Sequence, residues 1–288
     1  MTRMRIVFEK LRYSFLTLIL LLVSLDAAFS QQVEWLNDLD RAQQIARETG
    51  KPILYDFTAA WCGPCRRMDK EFWPKAEVVE LSKQFVCVKV NFDTEKTFAA
   101  KYSIKAIPNV VFTDPWGRGL VGQKGFGAGT TTEILDKIKY LPKDFSSLRD
   151  AGNTLEADDK NLDALYQFAK FYQERKFYWL GNGFYERLLY LEVDLLKRES
   201  ILLNLAFNHI RMEEPAEAIA RFESLQKEYP KSAQNDLYLH GLVVASVKKK
   251  DQPGANKYLA ELRLKFPASE YVAHAETSIA ELGPVKAK

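Results

Sequence analysis

Cysteine and histidine are scarce in this chain, which has three residues of each type among 288. Small secreted domains held together by disulfides carry many cysteines, so this composition excludes that class and leaves burial of apolar side chains to hold the fold. An excess of either charge is also lacking, because 41 basic residues stand against 38 acidic ones. This balance does not indicate a nucleic-acid partner.

Long apolar runs are rare, and the one that stands out lies near the N-terminus at about residues 15–25. Basic residues precede it and small residues follow it, which is the order of a secretory signal peptide. The run is short for a membrane span, which needs roughly 20 residues, so a retained anchor is the less favoured alternative. Ala28 and Ser30 provide the small residues that signal cleavage needs three and one positions before the cleaved bond. We therefore expect residues 1–30 to be a signal peptide and a mature chain from Gln31 to be exported, with the periplasm the favoured location.

The remaining chain of about 260 residues is long for one compact domain and sufficient for two. Strand and helix patterns alternate over residues 31–141, and a polar segment with scattered turn residues follows at 142–161. Beyond it, residues 162–288 keep a helical spacing of apolar positions. We expect an α/β domain, a linker and an all-α domain. In the first, a helix precedes the order β-α-α-β-β-β-α, which describes a mixed sheet covered by helices.

Two of the three cysteines, Cys62 and Cys65, lie in the stretch AAWCGPCRR with only a glycine and a proline between them. The apolar run PILYDFTAAW before them predicts a buried strand, and RRMDKEFW after them predicts a helix. The pair therefore lies at a strand-to-helix junction. The unpaired N–H groups and partial positive charge of a helix N-terminus stabilise a thiolate, which is the attacking species in disulfide exchange.

The pattern leaves three uses for this pair: a redox-active dithiol, half of a zinc site, or a structural disulfide. A zinc site needs two further ligands, whereas Cys87 lies in a strand predicted to be buried and all histidines lie beyond residue 200. A disulfide that closes so short a loop stabilises a fold little. We favour the redox dithiol, assign no metal ligand, and expect Cys87 to be a core residue.

The stretch from about Asp38 to Leu141 resembles the thioredoxin superfamily, and WCGPC at 61–65 matches the active-site sequence of thioredoxins. The resemblance implies an α/β thioredoxin fold and a dithiol that cycles without a diffusible cofactor. One departure is Lys70, which stands where thioredoxin has a kinking proline. The segment that follows looks more like exported thioredoxin-like domains that accept electrons from membrane carriers.

Three further matches do not involve the cysteines. Asp56 stands where thioredoxins keep a buried acid, and Lys89 matches the strand lysine that approaches it. Lys89 has an alternative interpretation as a lysine on the solvated side of its strand. The Ile107-Pro108 pair matches the cis-proline segment that faces the dithiol.

The resemblance also implies how these residues act. Cys62, expected to be the more exposed residue at the tip of the helix, would attack a substrate disulfide, and the more buried Cys65 would resolve the mixed disulfide. Asp56 would accept the proton of Cys65, directly or through water. The residues expected to shape the site or contact the substrate are Trp61, Gly63, Pro64, Ile107 and Pro108.

A pattern recurs every 37 residues in the second half of the chain. Its first helix carries two large apolar residues followed by another apolar or small one: Leu165, Phe168 and Ala169, then Leu202, Leu205 and Ala206, then Leu239, Leu242 and Val243. Its second helix carries a small residue and two large ones: Gly181, Tyr185 and Leu188, then Ala218, Phe222 and Leu225, then Ala255, Leu259 and Leu262. The pattern resembles the tetratricopeptide repeat, whose usual period is 34. We expect three stacked units, rather than a plain helical bundle, that offer a surface to a protein or peptide.

These observations predict an exported thiol–disulfide oxidoreductase, and we favour a reductase of protein disulfides whose repeats recruit a protein substrate or partner. A reductase in an oxidising compartment must be recharged, which implies a membrane electron donor. A disulfide oxidase or isomerase is one alternative. Another is a repeat-based scaffold whose thioredoxin-like domain binds an extended chain without redox turnover.

Overall fold

The computed structural model describes residues 32–191 and 194–281. They fall into two compact units, one ending at Ser146 and the other beginning at Ser147. The expected signal peptide and its cleavage site lie outside the described residues. Within those two ranges, no helix combines the length and the apolar character that crossing a membrane requires.

The first unit is built on a five-stranded sheet in the order β1-β3-β2-β4-β5. The strands are β1 (Trp35–Leu36), β2 (Ile53–Thr58), β3 (Val86–Asn91), β4 (Asn109–Thr113) and β5 (Gly119–Lys124). The helices are α1 (Leu39–Thr49), α2 (Gly63–Glu71), α3 (Ala76–Ser82), α4 (Lys96–Lys101) and α5 (Thr130–Tyr140). Strands β1, β3 and β2 are parallel to one another. Strand β4 is antiparallel to β2, and β5 is antiparallel to β4.

The predicted α/β order is confirmed, with two added elements, β1 and α4. Strand β1 and helix α4 are too short to show a periodic pattern, so the sequence does not reveal them. Strand β4 begins at Asn109. Its predecessor Pro108 has no N–H group and cannot donate to a strand ladder.

The two faces of β2 serve different purposes. Tyr55 and Phe57 are fully buried in one apolar cluster with Ala42 and Ala46 of α1. Since successive side chains of a strand point to opposite faces, Asp56 faces the other side, where α2 lies.

The register between β2 and β3 places specific side chains together on that second face. It pairs Leu54 with Cys87 and Asp56 with Lys89. Cys87 is 3% exposed, and burial raises the pKa of its thiol to about 12. The prediction that Cys87 is a buried core residue is confirmed.

The segment 142–161 differs from the linker that the sequence predicts. It contains a 3-10 turn (Ser146–Leu148) and a helix, α6 (Arg149–Ala157). Leu148 and Ala151 are buried, and α6 packs against the helix that follows it. Part of the polar composition that indicated a linker belongs to the exposed side of this helix.

The second unit consists of consecutive helices after α6. They are α7 (Leu162–Glu174), α8 (Tyr178–Tyr190), α9 (Leu195–Arg211), α10 (Pro215–Glu228), α11 (Asn235–Lys248), α12 (Gln252–Lys265) and α13 (Tyr271–Ala280). Helices α7 to α12 pack as three successive pairs, and α13 packs against the last pair. Every residue of the predicted pattern of period 37 is buried. The repeat architecture predicted from the sequence is confirmed.

Polar contacts between helix pairs recur at the same interval of 37. In each case the second contact joins the residues found one period after those of the first. The contacts are Ser232 with Glu199 and Ser269 with Asp236, and Arg221 with Glu186 and Tyr258 with Glu223. The interfaces between neighbouring units are therefore repeated together with the apolar core.

Candidate active site

The dithiol lies at the N-terminus of α2, directly after β2. Cys62 and Cys65 form a disulfide with their Cα atoms 5.3 Å apart. Cys62 is the N-cap residue of α2, and its sulfur accepts a hydrogen bond from the Cys65 N–H group at 3.2 Å. Pro64 occupies the first turn, where its missing N–H group leaves no helical hydrogen bond unmade. The helix begins at Gly63, ahead of the second cysteine rather than after it.

The two cysteine residues hardly differ in exposure. Cys62 is 2% and Cys65 is 3% exposed, so the expectation that Cys62 is the more exposed of the two is wrong. Both pack in one cluster with Ala59 and the half-buried Ile107. What distinguishes Cys62 is its N-cap position, because backbone N–H groups and the helix dipole stabilise a thiolate there.

The segment before β4 faces this cluster. The peptide bond between Ile107 and Pro108 is cis, as the sequence resemblance implies. Ile107 packs against the two cysteines, and the Pro108 carbonyl accepts a hydrogen bond from the Gly125 N–H group at 2.8 Å. The dithiol, at the start of α2, therefore packs against the Ile107-Pro108 segment.

Trp61 and Gly63 border the dithiol on its outer side. The Trp61 side chain is 63% exposed, and its indole N–H donates to the Asp93 carboxylate at 3.0 and 3.2 Å. This charge-assisted contact fixes an exposed aromatic surface next to Cys62. A Cβ atom on Gly63 would have no neighbour within 4 Å, so the space in front of Gly63 is open to an incoming chain.

Asp56 is buried behind this surface, with 2% exposure. Its Oδ2 accepts hydrogen bonds from Lys89 Nζ at 2.6 Å and from the Trp73 indole N–H at 3.1 Å. Its Oδ1 has no hydrogen-bond partner among the described residues. Lys89 lies against this carboxylate, and its side chain is only 19% exposed.

The environment of Asp56 favours its protonated form. Burial raises the pKa of this carboxyl above its usual value of 3.8, and the charge of Asp69 adds to the rise. The charge and hydrogen bond of Lys89, and the hydrogen bond from Trp73, oppose it. Because burial is the largest cause, Asp56 is a stronger base than an exposed aspartate.

Sequence reasoning missed the residues that surround Lys89. Its Nζ also pairs with Asp69 Oδ1, and it lies 4.4 Å from the ring centroid of Trp35 and 5.6 Å from that of Trp73. Asp69 follows Cys65 by four residues, a spacing that places both side chains on one helix face, whereas Trp73 lies just beyond the end of α2. That spacing places Asp69 on the helix face of Cys65 but does not show that it meets a lysine, and the two-residue strand of Trp35 gives no signal.

Comparisons with known proteins agree with this geometry. The profile of the Thioredoxin-like family matches residues 34–115, and the Tetratricopeptide repeat profile matches residues 201–232. A thioredoxin H-type of Oryza sativa subsp. indica is 38% identical over 79 residues, which cover 26% of this chain and 60% of that protein. A thioredoxin of Mycoplasma genitalium is 36% identical over 86 residues, which cover 30% of this chain and 78% of that protein.

Among solved structures, a poplar wild-type thioredoxin h is 25% identical. The match covers 38% of this chain and 94% of that protein, with a TM-score of 0.32. The fold, the dithiol and the relatives together define the first unit as a domain of the thiol–disulfide oxidoreductase kind. The chain belongs to the thioredoxin family, whose redox group is the cysteine pair itself and which acts without a cofactor.

The raised pKa of Asp56 gives a testable dependence of stability on pH. The folded state binds the Asp56 proton more tightly than the unfolded chain does, so ionisation of this group above its unfolded pKa lowers the free energy of unfolding. We expect Asp56→Asn to be more stable than the parent at about pH 8. The gain should be about 1.4 kcal/mol for each unit by which the folded pKa exceeds the unfolded one, and it should shrink as the pH falls toward 3.8.

Urea unfolding followed by tryptophan fluorescence measures this effect, since four of the five tryptophans lie in the first unit. The matched control is Asp136→Asn, which removes an acid whose side chain is 56% exposed on α5. A stability difference between Asp56→Asn and the parent that stays constant with pH would contradict the assignment.

Proposed function

We propose that this protein reduces protein disulfides through Cys62 and Cys65. The observation that carries the proposal is the position of Cys62, whose sulfur caps α2 and accepts the Cys65 N–H group at 3.2 Å. A helix N-terminus favours the thiolate, and the Ile107-Pro108 segment beside the pair offers backbone to an extended substrate. The exposed Trp61 and the open space at Gly63 leave room for that substrate.

The reaction starts from the reduced dithiol. The Cys62 thiolate attacks one sulfur of a substrate disulfide, the substrate S–S bond breaks, and its second sulfur leaves as a thiolate that takes up a proton. Cys65 then loses its proton to Asp56 and attacks the Cys62 sulfur. The mixed disulfide breaks, the first substrate sulfur leaves, and Cys62 and Cys65 form a disulfide. Two electrons pass from the dithiol to the substrate.

A substrate trap tests this sequence of steps. We expect Cys65→Ser to accumulate a mixed disulfide between Cys62 and a protein substrate, because the resolving thiol is gone. Cys62→Ser should form no such adduct and should lose catalysed disulfide reduction by at least about a hundredfold. Non-reducing electrophoresis and mass spectrometry of the linked peptides measure both results.

The same trap separates the enzyme from a scaffold with an incidental dithiol. An oxidoreductase requires adducts in Cys65→Ser that disappear in the double Cys62→Ser, Cys65→Ser variant. A trap that stays empty in cells that still need the protein would favour the scaffold. In that case the phenotype should follow deletion of the helical repeats and not loss of the cysteines.

The direction of electron flow follows from the reduction potential of the pair. The WCGPC sequence supports a reducing couple, and we expect a potential near the roughly −270 mV of thioredoxin. A value of about −120 to −180 mV, as in DsbA and protein disulfide isomerase, would instead make the protein an oxidant or isomerase. Equilibration of the full chain with a defined thiol buffer measures it.

We further propose that the protein works outside the cytoplasm, in the periplasm, and receives electrons from a membrane donor. The basic, apolar and small-residue order of residues 1–30 supports export, and an oxidising compartment requires a reductase to be recharged. Mass spectrometry of the protein from a periplasmic fraction should find an N-terminal peptide that begins at Gln31. A cytoplasmic protein that retains residues 1–30 would contradict this location.

The helical repeats complete the proposal. Tetratricopeptide-like units serve protein–protein interaction, and a stacked array offers a continuous surface to an extended partner. We propose that this unit recruits a protein substrate or partner for the dithiol. Trapping by Cys65→Ser with and without the repeats tests recruitment, because the set of trapped proteins should narrow when the repeats are removed.

A further inference from the structure

The ammonium group of Lys89 pairs with two carboxylates behind the dithiol. Lys89 Nζ is 2.6 Å from Asp56 Oδ2 and also pairs with Asp69 Oδ1. Asp56 is buried, whereas the side chain of Asp69 is 44% exposed. When both acids are ionised, the cluster of Asp56, Asp69 and Lys89 carries a net negative charge. Asp56 has less contact with solvent than Asp69.

The position of the ammonium group is fixed by aromatic rings. Trp35 and Trp73 approach Nζ with their centroids at 4.4 and 5.6 Å, distances at which a ring attracts a cation. The Trp73 N–H group also donates to Asp56 Oδ2. That oxygen therefore has two donors, while Oδ1 has no partner among the described residues, which leaves Oδ1 available to a proton.

Asp69 and Lys89 also connect the buried acid with the surface. Both line a cavity of about 670 Å³, together with Arg66 and Glu95 among the charged residues, and Asp56 does not line it. The Arg66 guanidinium donates to the Ala60 carbonyl at 2.5 Å. The charged groups that act on Asp56 are thus Lys89 from β3 and Asp69 from α2, with Arg66 on the same cavity wall.

We propose that Asp69 is a positioning residue that shares Lys89 with Asp56 and so leaves Asp56 incompletely neutralised and able to hold a proton at Oδ1. An ammonium group paired with one carboxylate alone stabilises the ionised form more strongly than one that is shared. Asp69 thereby keeps Asp56 basic enough to accept the proton of Cys65. This role rests on the proposed exchange reaction.

The test is the titration of Asp56 in the oxidised full chain, followed by carbon-13 NMR of its carboxyl group. In Asp69→Asn, Lys89 serves Asp56 alone, and we expect the titration midpoint of Asp56 to fall by about one pH unit. Asp69→Glu keeps the second carboxylate and should stay near the parent midpoint. Glu71→Gln removes an exposed acid from the same helix and should leave the midpoint unchanged.

The Lys89→Met substitution distinguishes sharing of the ammonium group from direct charge repulsion between Asp69 and Asp56. If Asp69 acts by sharing the ammonium group, Asp69→Asn should shift the Asp56 midpoint less in the Lys89→Met background than in the parent. Equal shifts in both backgrounds would overturn the proposal, as would an unchanged or raised midpoint in a folded Asp69→Asn protein.

A kinetic measurement links the titration to catalysis. The rate at which Cys65 resolves a preformed mixed disulfide on Cys62 should follow the same midpoint and shift with it in Asp69→Asn. The NMR titration needs no turnover. If Asp69→Asn lowers the Asp56 midpoint as expected but the parent exchanges no disulfide, the proposed function alone would be overturned. An active parent whose midpoint does not respond to Asp69→Asn would overturn the role of Asp69 alone.

Discussion

The ion pair between Asp56 and Lys89 is the interaction on which the arrangement of this site depends. An isolated carboxylate is too costly to bury, so Asp56 requires a partner in the same face of the sheet. The register of β2 against β3 supplies Lys89 at the paired position. Trp73, just beyond α2, then donates to the same carboxylate, so this helix is tied to the sheet by the polar cluster as well as by apolar packing. The helix that carries the dithiol and the acid behind it are thereby held in one arrangement.

In the proposed exchange reaction, each thiol has its own means of losing a proton. Cys62 is served by backbone groups at the start of α2, which stabilise its thiolate without a base. Cys65 lies inside the first turn, is as buried as Cys62, and has no such position, so its deprotonation calls for an acceptor. We propose Asp56 as this acceptor, because it is buried, its pKa is raised and its Oδ1 has no hydrogen-bond partner among the described residues. The similar burial of the two cysteine residues is therefore compatible with different roles in the proposed reaction.

The sequence predicts the parts of this site that are local and misses those that depend on docking. The WCGPC motif and the strand-to-helix junction are consecutive in the chain, and the matches at Asp56, Lys89 and Pro108 come from resemblance to a family. Asp69 is informative only once α2 is placed against β3, because an aspartate on an exposed helix face looks the same in sequence whether or not it meets a lysine. The exposure of Cys62 likewise depends on Ala59 and Ile107, which approach from different segments.

The helical unit could be predicted more completely because its information is periodic. Each buried position is repeated at an interval of 37, so three weak signals reinforce one another, and the recurring contacts such as Ser232–Glu199 and Ser269–Asp236 show that the polar interfaces follow the same interval. A residue that recurs in every unit, however, meets the requirements of stacking, which are the same in each unit. Recognition of one partner requires positions that differ between units. Periodicity therefore identifies the architecture of such an array while hiding its specificity, which must reside in the residues that break the pattern.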